Sequence, residues 1–496
     1  MVDICYVISH GFAARMILHS DVIPSLRAMG LSVAIITPNA RETPVRIFAD
    51  EYDVHLEQMP PLPEERLRFY GQARYYLYEN VQLNPSLWAK HLRAVAEGGA
   101  DHPWRWLRPN LLLWLNRLAV RSSGVRSAFQ RVERMLLANQ RAADLLRELR
   151  PGLLVSTYPV APDEACLLLE AQRAGVPTVG QLLSWDNISA KGRFTVVPDY
   201  FAAWGPIMRA ELQSYYEVSP ERIIETGVAH FDRHVTSVSR RGIGQAVSAL
   251  GLRPDRPYLF FGMMSPYFTP YEIDIVEWVA RAVETGRFGP KMQLVIRPHP
   301  QNVQGYMADT AWLPRLDALA SDRVAIDYPI LESSSLMWNM NEADLPKLAN
   351  LLAGCALSLN SGSTLSIDAI IHDKPVILTL FDADHQLPWW QSARRGGDYL
   401  HLAKMTRLGG VQVAHSFSEL EQAIGSYLGT PGRDADGRQR VRREEVGICD
   451  GMASVRVAEA LHDFLLRTRS NRQPGTVKSA ILAQAEAVDT EVVRLQ

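Results

Sequence analysis

Short apolar runs bounded by Gly, Pro or Asn alternate along the chain with longer segments of helical period, the pattern of βα units on a parallel sheet. In the first half the runs "ICYVIS", "LSVAIIT", "GLLVSTY", "TVGQLLS", "YFAAWG" and "IIETGV" are predicted strands. Between them, "FAARMILHSDVIPSLRAMG" and "PDEACLLLEAQRAG" carry apolar residues at helical spacing, the second ending on a glycine suited to a helix C-terminus. The composition turns polar and Arg-rich from Thr236 to Arg256. The same alternation then restarts with "PYLFFGMM", "MQLVIRPHP", "RVAID", "ALSLNSG" and "PVILTLF".

The expectation is an α/β protein of two facing Rossmann-like domains, each on a parallel sheet. The first covers residues 1–235, with a basic, aromatic helical insertion at about 65–140, and the second covers 236–445. The 496 residues exceed what one hydrophobic core usually organises. No short-period repeat occurs, and the tail at 471–496 is polar.

Composition narrows the function only a little. With 47% hydrophobic and 21% charged residues and a formal net charge of -2, the chain is globular and gives no global reason to bind nucleic acid. The four cysteines, Cys5, Cys166, Cys355 and Cys449, are far apart, which fits free thiols in a reducing cytoplasm. "MVDICYVISHG" lacks a basic leader and reads as a first strand, and no apolar run reaches the length of a membrane span. The turn after strand one, "SHGFAAR", is not G-x-G-x-x-G, and no G-x-x-x-x-G-K-[ST] occurs. Hydride transfer and P-loop phosphoryl transfer therefore lose weight.

Ligands of open α/β sheets bind at the carboxyl ends of strands. "SLNSGSTLSIDAI" has that position: a strand breaks at Gly362, hydroxyls crowd the turn at Ser361, Ser363, Thr364 and Ser366, and a helix follows. Such a turn suits a phosphate, with Asp368 one turn further on in reach of a sugar hydroxyl; the plainer alternative is an ordinary helix N-cap. In "LVIRPHPQN", Arg297 and His299 emerge from a buried strand into a loop stiffened by Pro298 and Pro300. They are candidate phosphate contacts, or else a structural arginine and a satisfied turn histidine.

"RPHP", "SGSTLSID" and "HDKPVIL" together resemble the donor-binding half of GT-B glycosyltransferases, closest to bacterial surface and capsular polysaccharide enzymes such as sialyl-, Kdo- and glycerophosphotransferases. The resemblance implies that His299, Pro300, Ser363 and Thr364 hold the phosphates of a nucleotide-activated donor. The spacing from Ser361 and Gly362 to Asp368 is similar to that of the peptidoglycan-precursor N-acetylglucosaminyltransferase, where Glu holds the ribose at the position of Asp368. "GVAHFDR" and "CDGMASVRVAEAL" resemble the segments where such enzymes leave the first domain and close with a C-terminal helix, here 446–470. "SWDNISAKG" is similar to a stretch of uncharacterised surface-carbohydrate proteins.

On this reading the donor lies against Ser265, Arg297, His299, Ser361, Gly362, Ser363, Thr364 and Asp368. Asp384 and Gln386 of "FDADHQ" meet its sugar, although Asp382 and Asp384 also form an Asp-x-Asp of the kind that binds metal in the unrelated GT-A class. The general base is His10, with a pKa near neutrality, or Asp186, with Asn187 and Lys191 orienting acceptor or phosphate. His230 and His234 read as hinge residues and not as metal ligands. Between His102 and Val132 six arginines (Arg105, Arg108, Arg117, Arg121, Arg126 and Arg131) and no acid interleave with Trp104, Trp106 and Trp114. That suits an anionic membrane surface or a lipid-linked acceptor, or a helical pair whose aromatics are core.

The expected activity is glycosyl transfer from a nucleotide sugar to a glycan or lipid-linked acceptor in surface polysaccharide biosynthesis. It needs no metal or other cofactor and no nucleic acid, and it takes place in the cytoplasm, at the inner face of the membrane. The alternatives are a nucleotide-sugar 2-epimerase, a CDP-glycerol-type glycerophosphotransferase and a non-catalytic nucleotide-sugar-binding protein.

Overall fold

A computed structural model describes residues 2–62, 74–76, 80–98, 103–303, 311–331 and 340–472. Two all-parallel sheets organise the chain. The first has seven strands in the order β3-β2-β1-β4-β5-β6-β7. They are β1 (Val2–Val7), β2 (Val33–Thr37), β3 (His55–Gln58), β4 (Pro151–Ser156), β5 (Thr178–Gln181), β6 (Tyr200–Ala203) and β7 (Ile223–Glu225). The second has six in the order β10-β9-β8-β11-β12-β13. These are β8 (Tyr258–Gly262), β9 (Gln293–Arg297), β10 (Val324–Ile326), β11 (Leu357–Asn360), β12 (Val376–Thr379) and β13 (Gln412–Ala414).

The strands form where they do because their side chains are buried on both faces. Ile4, Cys5, Tyr6 and Val7 of β1, and Leu259, Phe260 and Phe261 of β8, are shut off from solvent. A parallel sheet covered by helices on both sides requires such near-continuous apolar runs. The predicted strands all appear. The edge strands β3 and β13 are additional: "HLEQ" and "QVA" are short and only partly buried, since an edge needs less burial.

In each sheet the strand order reverses beside the first strand, between β1 and β4 and between β8 and β11. The carboxyl ends at these switch points are the crevices in which open α/β sheets bind ligands.

The two halves are tied at the crossover. Gly227 has a φ of +77°, and a Cβ there would run into the carbonyl of Ile448, so glycine alone allows the two segments to pass. The buried carboxylate of Asp232 accepts from the backbone N–H groups of Ala453 (2.9 Å) and Ser454 (2.7 Å), which start the helix Ala453–Arg472. That helix returns to the first half, where Arg469 reaches Asp3 and Arg456 donates to the Thr226 carbonyl. The motifs "GVAHFDR" and "CDGMAS" thus hold each other. The polar tail from Gln473 onward, and parts of the insertion at 65–140, lie outside the described residues.

Candidate functional site

Each switch point is built around a buried glutamate. In the first half Glu164 accepts from Ser9 Oγ and Ser156 Oγ (2.6 Å each), Thr157 Oγ1 (3.2 Å) and the Tyr158 N–H (2.7 Å), fixing the loops that leave β1 and β4. In the second half Glu272 accepts from the Met264 N–H (2.7 Å) in the loop after β8. Burial raises the Glu272 carboxyl to about 8, with Ser361, Met264 and Thr269 pulling in the opposite direction, so at neutral pH it holds its proton.

The hydroxyl-rich turn after β11 divides into an inner and an outer half. Asn360 Oδ1 accepts from the N–H groups of Gly362 and Ser363 (2.9 Å each) and from Ser366 Oγ (3.0 Å). Ser361 Oγ pairs with Thr379 Oγ1 at 2.8 Å, and the residue is 5% exposed. Ser361 is therefore part of the scaffold and not an open ligand position. Gly362, at φ +103° with Leu402 against the place of its absent Cβ, shapes the turn. Ser363 and Thr364 remain half-buried at the surface of the turn, with Ser363 Oγ accepting from the Leu365 N–H (3.3 Å).

Arg297 departs most from expectation. Its terminal nitrogens each lie 2.5 Å from a buried carboxylate, Asp327 and Asp344, and Lys347 Nζ lies 2.6 Å from Asp327. Two cations and two carboxylates balance, so the guanidinium is spent inside the protein and is not a fork for phosphate. His299, one step beyond the strand, is half-buried. Burial, followed by the charge of Arg297, lowers its pKa to about 4, so it is a neutral imidazole at pH 7. Ser265 is also buried, in a turn whose Phe268 N–H donates to its carbonyl.

After β12, Asp382 is consumed by Ser392 Oγ and the Ala393 N–H, which removes one half of the Asp-x-Asp pair. Asp384 and Gln386 are exposed on the same loop. Among the described residues no group of three His, Cys, Asp or Glu could hold a metal ion.

Where the two halves meet, the central residue, Arg15, is one that the motifs did not point to. Arg15 is the only charge in the apolar helix Gly11–Leu18, and that isolation was the available signal. It feels the charges of Asp344, Asp368 and Arg297 of the second half, and its Nη1 lies 3.9 Å from Met340 Sδ. Around it, Arg15 Nε, His230 Nδ1 and His234 Nε2 are buried without a hydrogen-bond partner among the described residues. His234 Nδ1 meets His372 Nε2 at 3.1 Å, and its Nε2 is 3.5 Å from Asp368 Oδ1, close but not aligned for a hydrogen bond. Burial keeps both hinge histidines neutral, lowering His230 to about 3 and His234 well below its ordinary value.

Burial raises Asp368 to about 7, with Arg15 and Arg297 pulling in the opposite direction. The folded carboxyl thus keeps its proton through a window in which the unfolded one, near 3.8, has lost it. Stability contributed by this group is complete below about pH 4 and declines as pH rises toward 7, at about 1.4 kcal/mol per pH unit. Asp368→Asn is accordingly expected to stabilise the ligand-free protein by about 2–4 kcal/mol at pH 8 and to flatten the stability-pH curve between 4 and 7. Urea titrations across that range check it, and an unchanged slope would refute the assignment.

The first half contributes a second cluster, centred on Lys191. Its Nζ pairs with Asp186 Oδ2 at 3.1 Å. Burial alone would raise the Asp186 pKa, but Lys191, His401 and hydrogen bonding bring it to about 2, while Asp186 raises Lys191. Asn187 braces this loop, its Oδ1 accepting from the Ser184 N–H (3.1 Å) and its Nδ2 lying 3.4 Å from Asp186.

His10 caps the helix Gly11–Leu18, with Nδ1 accepting from the Ala13 N–H at 3.4 Å, and its ring meets Tyr158 edge-on at 5.1 Å. Burial and then Lys191 lower it to about 4, not to the expected neutrality. Three further groups complete the cluster. Arg74 donates to the carbonyls of Val160 and Lys191, Lys90 lies 4.3 Å from the Tyr75 ring centroid, and His401 from the second half packs on Trp185 at 5.0 Å. His401 Nδ1 is buried and unpartnered among the described residues. With Arg74, Lys90 and Lys191 set against Asp186 alone, the wall is cationic.

No known protein family matches the sequence, and no curated protein matches it. Solved structures do. S. aureus MnaA in complex with UDP superposes with a TM-score of 0.54 at 12% identity, covering 94% of this chain and 97% of its own. The UDP-GlcNAc 2-epimerase of Neisseria meningitidis, bound to UDP-GlcNAc, gives 0.52 at 12% identity over 93% and 100%. The putative UDP-N-acetylglucosamine 2-epimerase of Listeria monocytogenes gives 0.52 at 11% identity over 92% and 94%. The fold is GT-B. At such low identity the likeness establishes architecture, and one architecture hosts many donors and chemistries.

Proposed function

We propose that this protein is a glycosyltransferase that takes its sugar from a nucleotide-activated donor held by the second half and passes it to an acceptor held by the first. The observation that carries the reading is the group of buried, unpartnered polar atoms around Arg15, on the cleft shared by both switch points. Buried polar groups are almost always satisfied, so these call for a polar ligand. The donor diphosphate would meet Arg15, His299, Ser363 and Thr364, the ribose would meet Asp368, and Asp384 and Gln386 would face the sugar. Charge leaving with the nucleotide would be offset by these groups without a metal.

The cationic wall around Lys191 would hold the acceptor, with Asp186, Asn187 and Lys191 positioning it and His10 Nε2 accepting its proton. Of the two candidate bases, His10 is favoured. Asp186 is locked to Lys191 and too weakly basic at about 2.

A thermal-shift series with CMP, CDP, UDP, GDP and dTDP tests the donor site. At least one nucleotide is expected to raise the melting temperature, and His299→Ala to abolish that rise. Incubation with the corresponding nucleotide sugar then tests the reaction. Donor is expected to persist alone and to be consumed when acceptor glycans or lipid-linked acceptors are added. Conversion of UDP-N-acetylglucosamine to its C2 epimer without acceptor would replace this reading with an epimerase, and turnover of CDP-glycerol would replace it with a glycerophosphotransferase.

A further inference from the structure

The helix Pro103–Arg121 lies against the helix Pro85–Gly98 on one side, and its other side carries exposed side chains. Pro109, Leu113, Asn116 and Ala119 are buried, whereas Leu107 (43% exposed), Leu111 (52%), Trp114 (55%) and Leu118 (42%) face outward. The outward residues recur at intervals of four, three and four, which places them in one stripe along the helix. The next helix, Ser123–Leu137, repeats the arrangement with Val132 (53%) and Met135 (67%) outward and Leu137 buried. Among the described residues, six of the fourteen exposed large hydrophobic side chains thus fall in two consecutive helices. Scattered apolar exposure is ordinary, but a concentrated patch marks a contact surface.

The charges on these helices identify what that surface meets. Residues 103–137 contain seven arginines and a single acid, Glu133. Glu133 is 2% exposed and accepts from Thr195 Oγ1 at 3.1 Å, so no carboxylate of the pair reaches solvent. Arg117 and Arg121 are exposed one position from, and three beyond, Leu118. On the helical wheel they flank one edge of the stripe, with Arg108 on the other. An apolar stripe rimmed by cations is suited to the headgroup and acyl boundary of an anionic bilayer, where the stripe enters the boundary and the guanidinium groups meet lipid phosphates. The side chains of Trp104, Arg105 and Trp106 lie outside the described residues. No described helix is long and apolar enough to cross a membrane, so the contact is with one leaflet.

We propose that the helices Pro103–Arg121 and Ser123–Leu137 form a docking surface for anionic phospholipid membranes. The proposal does not depend on the chemistry assigned to the cleft. Co-sedimentation of the full-length chain with vesicles of phosphatidylcholine alone, or with about one-third phosphatidylglycerol, tests it at low and high salt. The protein is expected to pellet with the phosphatidylglycerol vesicles, to stay in solution with phosphatidylcholine, and to be released by high salt.

The double variant Leu111→Ser/Trp114→Ser alters only exposed positions, so its melting temperature is expected to be unchanged while vesicle binding falls at least tenfold. Arg117→Gln/Arg121→Gln is expected to lose about fivefold per arginine on phosphatidylglycerol vesicles. Equal binding by wild type and both variants, or no binding to either vesicle, would overturn the proposal. So would a wild-type dimer that the Leu111→Ser/Trp114→Ser variant dissociates, since a second copy would then cover the stripe.

Discussion

Arg297→Ala is expected to destabilise the folded protein by about 3–5 kcal/mol in the absence of any ligand, because it leaves two buried carboxylates without their partner. Asp327 and Asp344 are both inaccessible to solvent, and the remaining cation, Lys347, reaches Asp327 at 2.6 Å but Asp344 only at 4.0 Å. Arg297→Lys should recover only part of the loss, since one ammonium cannot reproduce the fork that meets both acids at 2.5 Å. Urea denaturation followed by circular dichroism measures the effect. The contrast with His299→Ala is diagnostic: the first change lowers intrinsic stability, and the second removes the nucleotide-dependent gain. If Arg297→Ala left the ligand-free stability intact, the guanidinium would be facing the cleft after all.

His10→Gln should lower kcat by about 10²–10⁴-fold, the usual contribution of a positioned general base. Glutamine places a neutral amide near the position of the ring's Nε2, so a polar side chain of similar length remains while the basic nitrogen is lost. The pH profile supplies the test that a structural role would not pass. With its pKa lowered to about 4, His10 is already unprotonated at pH 7. Wild-type turnover should therefore be level above about pH 5 and fall below about pH 4 as the ring takes a proton. The variant should lose that acid limb along with its rate. A limb that persists in His10→Gln would transfer the role to another group.

Arg297 and His299 illustrate what the sequence makes legible and what it leaves hidden. That Arg297 and His299 leave the carboxyl end of a buried strand was legible from "LVIRPHP", but their roles were not. Arg297 meets Asp327 and Asp344, which lie 30 and 47 positions further along the chain. Nothing local in the sequence announces a charge-balanced pair of acids. Likewise Ser361 and Ser366 share their motif with Ser363 and Thr364, yet their hydroxyls are turned inward to Thr379 and Asn360. A run of hydroxyls in a sequence does not say which of them faces solvent.

The chain's own order of residues determined the architecture, because burial on both faces of a parallel strand demands an unbroken apolar run, and burial on one face of a helix demands a period near 3.6. Those are local rules, readable one segment at a time. Only tertiary structure brought Arg15 to Asp368 and His401 to the Asp186–Lys191 pair, across hundreds of residues of chain. The physical reason is that charge and solvation depend on distance in space. Whether a side chain is spent, protonated or open to a ligand is decided by neighbours that sequence position does not reveal.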